Sequence, residues 1–194
     1  MIRNTLLTVG ALFALLGARS AIAGTIDQQS TFQDDTLSGS TLAGQSFTPT
    51  LSSIDFATFS LHLFAVGSST LQVNLLSGDG YGGSLLGSTP TQTISNLGFQ
   101  QIEFDFAAPV ALTPGDVYTL QIDLISGTTL DEAVGDGNPY AGGQAYFSNG
   151  TAFSGSDLVF SEGVSQASTP EPTTLSMLGF AALAMVGLRR FVRR

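Results

Sequence analysis

Three short runs in this chain alternate apolar and polar residues without a break. In TLQVNLL (70–76), Leu71, Val73 and Leu75 alternate with Gln72 and Asn74. In QIEFDF (101–106), Ile102, Phe104 and Phe106 alternate with Glu103 and Asp105. In YTLQIDLI (118–125), Leu120, Ile122 and Leu124 alternate with Thr119, Gln121 and Asp123. A period of two gives a strand one apolar face and one polar face, and a helix of period 3.6 cannot sort these residues that way. Antiparallel sheets tolerate one solvated face, whereas parallel sheets are covered on both. The pattern therefore calls for antiparallel sheets packed on one another through their dry faces.

The neighbouring segments extend this expectation. SIDFATFSLHLF (53–64) places Ile54 and Phe56 on one parity and Phe59, Leu61 and Leu63 on the other, which predicts a bulge near Ala57. GQAYFSN (143–149) and DLVFSE (157–162) read as strands, and 25–32 and 45–48 as weaker ones. Between them lie SGDGYGGS (77–84), LTPGD (112–116), GDGNPYAGG (135–143) and SNG (148–150), all turn chemistry. Short alternating strands at this spacing predict a two-sheet antiparallel sandwich. The apolar fraction of 43% is enough for a core, and cysteine is absent, so no disulfide contributes.

Charge is partitioned along the chain. Its six basic residues are Arg3, Arg19, Arg189, Arg190, Arg193 and Arg194. Residues 24–168 contain no lysine or arginine, one histidine (His62), and every acid except Glu171. No Lys/Arg–carboxylate ion pair can form there, so stability rests on apolar burial and hydrogen bonds. Such a body repels nucleic acid and has no arginine to hold a phosphate.

The N-terminal stretch has the marks of an export signal. Arg3 precedes an apolar Leu6–Leu16 region, and Ala21-Ile22-Ala23 offers the small-x-small pattern that signal peptidase accepts, with cleavage before Gly24. At the other end, LSMLGFAALAMVGL (175–188) carries no charge and is followed by RRFVRR. As a helix it would rise about 21 Å, short of a hydrocarbon core of roughly 30 Å, with flanking residues and snorkelling arginines extending it. Arg189, Arg190, Arg193 and Arg194 would stay on the cytoplasmic side and stop translocation. The order Pro170-Glu171-Pro172, apolar segment, basic tail closely resembles the PEP-CTERM sorting signal of Gram-negative bacteria, a tail also labelled as an ice-binding-protein C-terminal domain. The resemblance implies recognition by exosortase, a membrane-embedded transpeptidase-like enzyme, cleavage near the Pro-Glu-Pro motif, and export in bacteria that make extracellular polysaccharide.

The stretch from QSFTP through SIDFATFSLHL, TLQVNLLSGDG, SLLGS, IEFDF, LTPGDVYTLQI and YAGGQAYFSNG to DLVF resembles a jelly-roll family of exported bacterial proteins. That family is similar to carbohydrate-binding modules, although these motifs mark a fold and identify no sugar site.

Candidate chemistry is sparse. Glu103 and Asp105 share a strand face at a separation near that of a glycoside hydrolase's carboxylates, but two acids on one solvated strand do not flank a substrate and no tryptophan offers a platform, so the solvated face is the stronger reading. His62 stands without a second histidine or any cysteine for zinc, and no GxSxG elbow accompanies it. Asp79, Asp131, Asp136 and Asp157, with Glu132 beside them, are the candidates for a calcium site on loops or strand starts, against a plain turn-forming role; the EF-hand spacing is absent. Tyr81, Tyr140 and Tyr146 could stack on sugar rings or pack on the body. Thr89, Thr91 and Thr93 give at best a three-residue ladder for ice.

Together these features predict an all-β, jelly-roll-like antiparallel sandwich over 24–167. It would be flanked by a signal helix over 1–23 and by the sorting signal over 168–194, whose transmembrane helix covers about 173–190. The expected function is non-enzymatic and needs no cofactor. The protein would be exported, held at the inner membrane with its body in the periplasm, then processed to the cell surface or matrix, in a structural or polysaccharide-associated role. Its partners would be signal peptidase, exosortase, the membrane and extracellular polysaccharide. The alternative is a carbohydrate-active hydrolase or a calcium-dependent glycan-binding module.

Overall fold

A computed structural model describes residues 24–165. The expected signal and transmembrane helices, with Ala21, Ala23, Pro170, Glu171, Pro172 and the four C-terminal arginines, lie outside the described residues. The described chain is all strand and turn. Its strands are β1 (Thr25–Ser30), β2 (Asp35–Ser40), β3 (Leu42–Phe47), β4 (Ser53–Leu63), β5 (Ser69–Ser77), β6 (Leu85–Ser88) and β7 (Gln92–Ile94). They continue with β8 (Gln100–Ala111), β9 (Tyr118–Gly127), β10 (Leu130–Asp136), β11 (Ala145–Tyr146), β12 (Ala152–Phe153), β13 (Ser156–Leu158) and β14 (Phe160–Val164).

These form two seven-stranded antiparallel sheets. Sheet one runs β1-β14-β4-β10-β13, with β8 beside β4 and β2 beside β10; sheet two runs β12-β11-β3-β9-β5-β6, with β7 beside β5. One core joins them. From sheet one come Phe59, Leu61, Phe104, Leu130 and Phe160, and from sheet two Phe47, Leu71, Leu75, Leu120 and Ile122, all at most 2% exposed. Each such side chain contributes about 1.5–3 kcal/mol on leaving water. The alternation in 70–76, 101–106 and 118–125 puts the expected residues inward.

The irregularity of β4 lies between Ile54 and Phe56, ahead of the expected Ala57, which pairs in regular register with Phe104. Ile54 faces Val110 while Phe56 faces Asp105, so two steps along β4 match five along β8. The excess residues lie on β8, an edge strand, where an irregular stretch leaves few backbone groups unpaired.

One central strand departs from the sequence expectation. Asp131, Glu132 and Asp136 belong not to a loop but to β10, which pairs with β4, β2 and β13. Leu130 and Val134 enter the core from its inner face, and Glu132, between them, shares their parity. A strand of this acidity survives in the middle of a sheet because its carboxyls are neutralised or hydrogen-bonded.

Candidate functional site

The outer face of sheet one carries a row of polar side chains, uncharged until it reaches β8. In register, Gln29 of β1 lies opposite Ser161 of β14, Ser161 opposite Thr58 of β4, and Thr58 opposite Glu103 of β8. The row crosses four adjacent strands, about 14 Å at the usual spacing. A cleft of about 310 Å³ opens along it, lined by Gln29, Thr58 and Ser161 with Gln101, Ser30 and Val159. Ser30, which pairs with Phe160, turns its side chain to the inner face; it is 3% exposed, and its hydroxyl has no hydrogen-bond partner among the described residues.

Glu103 and Asp105 lie at the edge of this face, both exposed on β8, and neither lines the cleft. Partial burial raises the Glu103 pKa, and the like charges of Asp105 and Asp55 raise it further. The three acids therefore form one negative patch on an open edge. Edge strands carrying charge resist pairing with other chains, which gives the patch a structural use.

His62 occupies the same face nearer the end of β4. Its Nε2 lies 3.2 Å from Asp131 Oδ2, and its Nδ1 2.8 Å from the Leu63 carbonyl oxygen. The other Asp131 oxygen accepts from the Gly39 amide at 2.9 Å, and Phe99 packs edge-on against the imidazole at 4.4 Å. Both ring nitrogens are thus engaged, and neither contacts a serine. The arrangement ties β4 to β10.

Two carboxyls face the core with no cation to meet them. Glu132 is 1% exposed; one of its oxygens accepts from the Ser40 hydroxyl and the other has no partner. Burial pushes its pKa up to about 8; the Ser40 hydrogen bond opposes that rise and the Asp131 charge adds to it. Glu162 is fully buried, and neither of its oxygens makes a hydrogen bond of normal geometry. Burial again pushes its pKa up to about 8, helped by the charge of Asp27 and a contact with its carboxyl. Asp27 itself behaves oppositely. Burial acts to raise its pKa, but hydrogen bonds from the Thr50 hydroxyl, the Leu51 and Thr50 amides and the Gln28 side chain hold it below the ordinary value. In this pair Asp27 carries the charge and Glu162 the proton. Asp157 is a third case: fully buried, it accepts from Gln45 Nε2 at 2.8 Å and the Tyr140 amide at 2.9 Å. Gln45 also accepts from the Leu158 amide, so this cluster bonds β3 of one sheet to β13 of the other.

The candidates for calcium are dispersed. Asp79 meets the Gln144 side chain, Asp136 the Ser156 hydroxyl, Asp131 His62 and Gly39, and Asp157 Gln45 and Tyr140. Among the described residues no three His, Cys, Asp or Glu side chains are grouped to hold an ion. The tyrosines are packed. Gly44 leaves room for the Tyr81 ring, since a Cβ there would lie 2.6 Å from it, and Tyr81 leans on Tyr146 at 5.8 Å between ring centroids. Tyr140 abuts Phe160 at 5.3 Å. Thr89 is 2% exposed and spends its hydroxyl on the Val73 amide, which breaks the threonine ladder. The cleft, by contrast, draws on residues from both ends of the body, which no sequence motif links. No protein-family model matches this sequence, and no curated protein matches it.

Proposed function

We propose that this chain is an exported surface or extracellular-matrix protein whose body is a jelly-roll-like sandwich with a structural or polysaccharide-associated role and no catalysis of its own. The segment through Ala23 directs export, with signal peptidase cutting before Gly24. Pro170-Glu171-Pro172, the apolar run and the arginines hold the chain at the inner membrane until an exosortase-type enzyme cuts near the Pro-Glu-Pro motif.

The observation that carries this reading is the charge partition. Residues 24–168 contain neither lysine nor arginine, while four of the six arginines stand together after an uncharged apolar run. A run of that kind followed by arginines is what halts a chain in a bilayer. A body stripped of cations suits a hydrated matrix and disfavours nucleic acid and phosphorylated ligands. Glu103 and Asp105 are both exposed on the edge strand β8, which favours a solvated acidic face over the hydrolase alternative.

Fractionation and intact-mass measurement in a Gram-negative host that carries an exosortase test the proposal. The expected product starts at Gly24, lacks the arginine tail, and is found outside the inner membrane. A product retaining both ends in the soluble cytosolic fraction would overturn it.

A further inference from the structure

We infer that the cleft on the outer face of sheet one is a subsite for a neutral sugar unit of a polysaccharide, with Gln29, Gln101, Thr31, Thr58 and Ser161 as its hydrogen-bonding groups. This deepens the polysaccharide association proposed above and rests on it.

The ligand class follows from the lining. With no lysine or arginine between residues 24 and 168, the cleft has no cation for a phosphate, sulfate or uronate. Its lining has no carboxylate to hold a metal ion or an amine. What remains are two carboxamides and three hydroxyls. A carboxamide donates and accepts at once, and a hydroxyl does the same. That is the complement of a polyol, whose hydroxyls also do both. Val159 adds an apolar patch to the lining, which suits the C–H face of a sugar ring. The volume of about 310 Å³ falls at the lower end of the range for small-molecule sites, about 300–1,000 Å³.

Ser30 takes no part: it pairs with Phe160, so its side chain lies on the core side of the sheet. The row continues in register from Gln29 through Ser161 and Thr58 to β8, so a chain held in the cleft has further polar groups to follow beyond the single unit. At its far end the row meets Glu103, with Asp105 and Asp55 close by. Their charge repels an acidic polymer approaching along the row, and the site therefore selects neutral chains over uronans.

Native affinity electrophoresis of the full-length chain in mild detergent tests this, with a soluble glucan, mannan and galactan as neutral polymers and alginate as the acidic one. The expected result is retardation by at least one neutral polymer and none by alginate. The double variant Gln29→Ala/Gln101→Ala, at two exposed positions, should weaken that retardation about tenfold. Ser161→Ala should weaken it several-fold with an unchanged melting temperature, which a purely structural serine would not do. Retardation of the double variant equal to that of the wild type overturns the subsite while leaving polysaccharide association standing. Retardation by alginate alone overturns the charge argument and the subsite with it. No retardation by any polymer overturns both the subsite and polysaccharide association, and leaves export and tail processing to be judged by fractionation.

Discussion

Sheet one holds acids in two opposite settings. Glu132 and Glu162 face the core, between or beside residues such as Leu130, Val134 and Phe160, and have almost no hydrogen-bond partners. Glu103 and Asp105 face water from the edge strand β8, on the other side of the same sheet. In most proteins a core-facing carboxylate meets an arginine or lysine. This body has neither, so the buried pair can only avoid the cost of a buried charge by keeping its protons. The exposed acids keep their charge because water stabilises it. The contrast shows that the absence of cations turns the two core-facing glutamates into proton-holding groups.

The largest expected effect is a pH profile that belongs to the buried pair. The folded pKa of each glutamate is about 8, against an ordinary value of 4.5. An acid raised in the folded state supports folding fully while the unfolded chain also holds the proton, below about pH 4.5. That support is lost as pH rises through the folded value near 8. Each group then sets a slope approaching about 1.4 kcal/mol per pH unit across that window. Asp27 has the opposite sign: its lowered pKa supports folding above its ordinary value of 3.8, and the support is lost as pH falls. Urea denaturation from pH 4 to 9 should therefore show a maximum near pH 4–5 and a steady fall to about pH 8. Glu132→Gln/Glu162→Gln should flatten the fall and leave the double variant more stable than the wild type at pH 8.5. A wild-type profile flat from pH 5 to 8 would break the comparison, because it would mean the buried acids are ionised like the exposed ones.

Asp157 sharpens the comparison, being buried but well partnered. Burial raises its pKa, while the Tyr140 amide and the Gln45 side chain act to lower it. Asp157→Ala would strand a buried amide and part of a buried carboxamide where the two sheets are bonded together. The expected loss is about 2–3 kcal/mol at pH 7, read by urea denaturation. A loss under about half a kcal/mol would show that the Gln45 cluster does not hold the sheets together.

The same contrast explains what the sequence could reveal. Strands β4, β5, β8 and β9 were legible because their alternation is determined by neighbours within a few residues. Strand β10 was not, since Asp131, Glu132 and Asp136 resemble turn acids until the partners that neutralise or bind them are known. Ser40 contacts Glu132 and Asp27 contacts Glu162 only after long-range pairing, and nothing local to DEAVGD or FSEGV encodes either meeting. Strand β2 was hidden for another reason: DTLSGS has a single large apolar residue, and its pairing comes from β10. The exposed pair on β8 was read correctly as a wet face. The cleft was illegible because β1 and β14, from opposite ends of the body, form it together.

A smaller effect concerns His62. Replacing it with phenylalanine keeps the contact with Phe99 but removes the bonds to Asp131 and the Leu63 carbonyl. Because Asp131 retains the Gly39 amide, His62→Phe should cost about 1 kcal/mol, measured by urea denaturation at pH 7. A cost above about 3 kcal/mol would place Asp131 with the buried acids rather than between the two groups.

The smallest effect isolates the exposed pair. Burial accounts for most of the rise in the Glu103 pKa, followed by the charge of Asp105 and then that of Asp55. Asp105→Asn removes one like charge and changes neither the burial of Glu103 nor the pairing of β8. Stability should stay within about half a kcal/mol of the wild type, as for most surface substitutions. The change should appear instead in the side-chain titration of Glu103 followed by NMR, whose midpoint moves down toward the ordinary value. Added salt should produce part of the same shift in the wild type, because charges in water are screened within about 10 Å at 0.1 M. The buried glutamates, shielded from ions by the core, should hold their midpoints under the same salt. If Glu103 ignored both the substitution and the salt while Glu162 responded to salt, the division between the two faces of the sheet would be reversed.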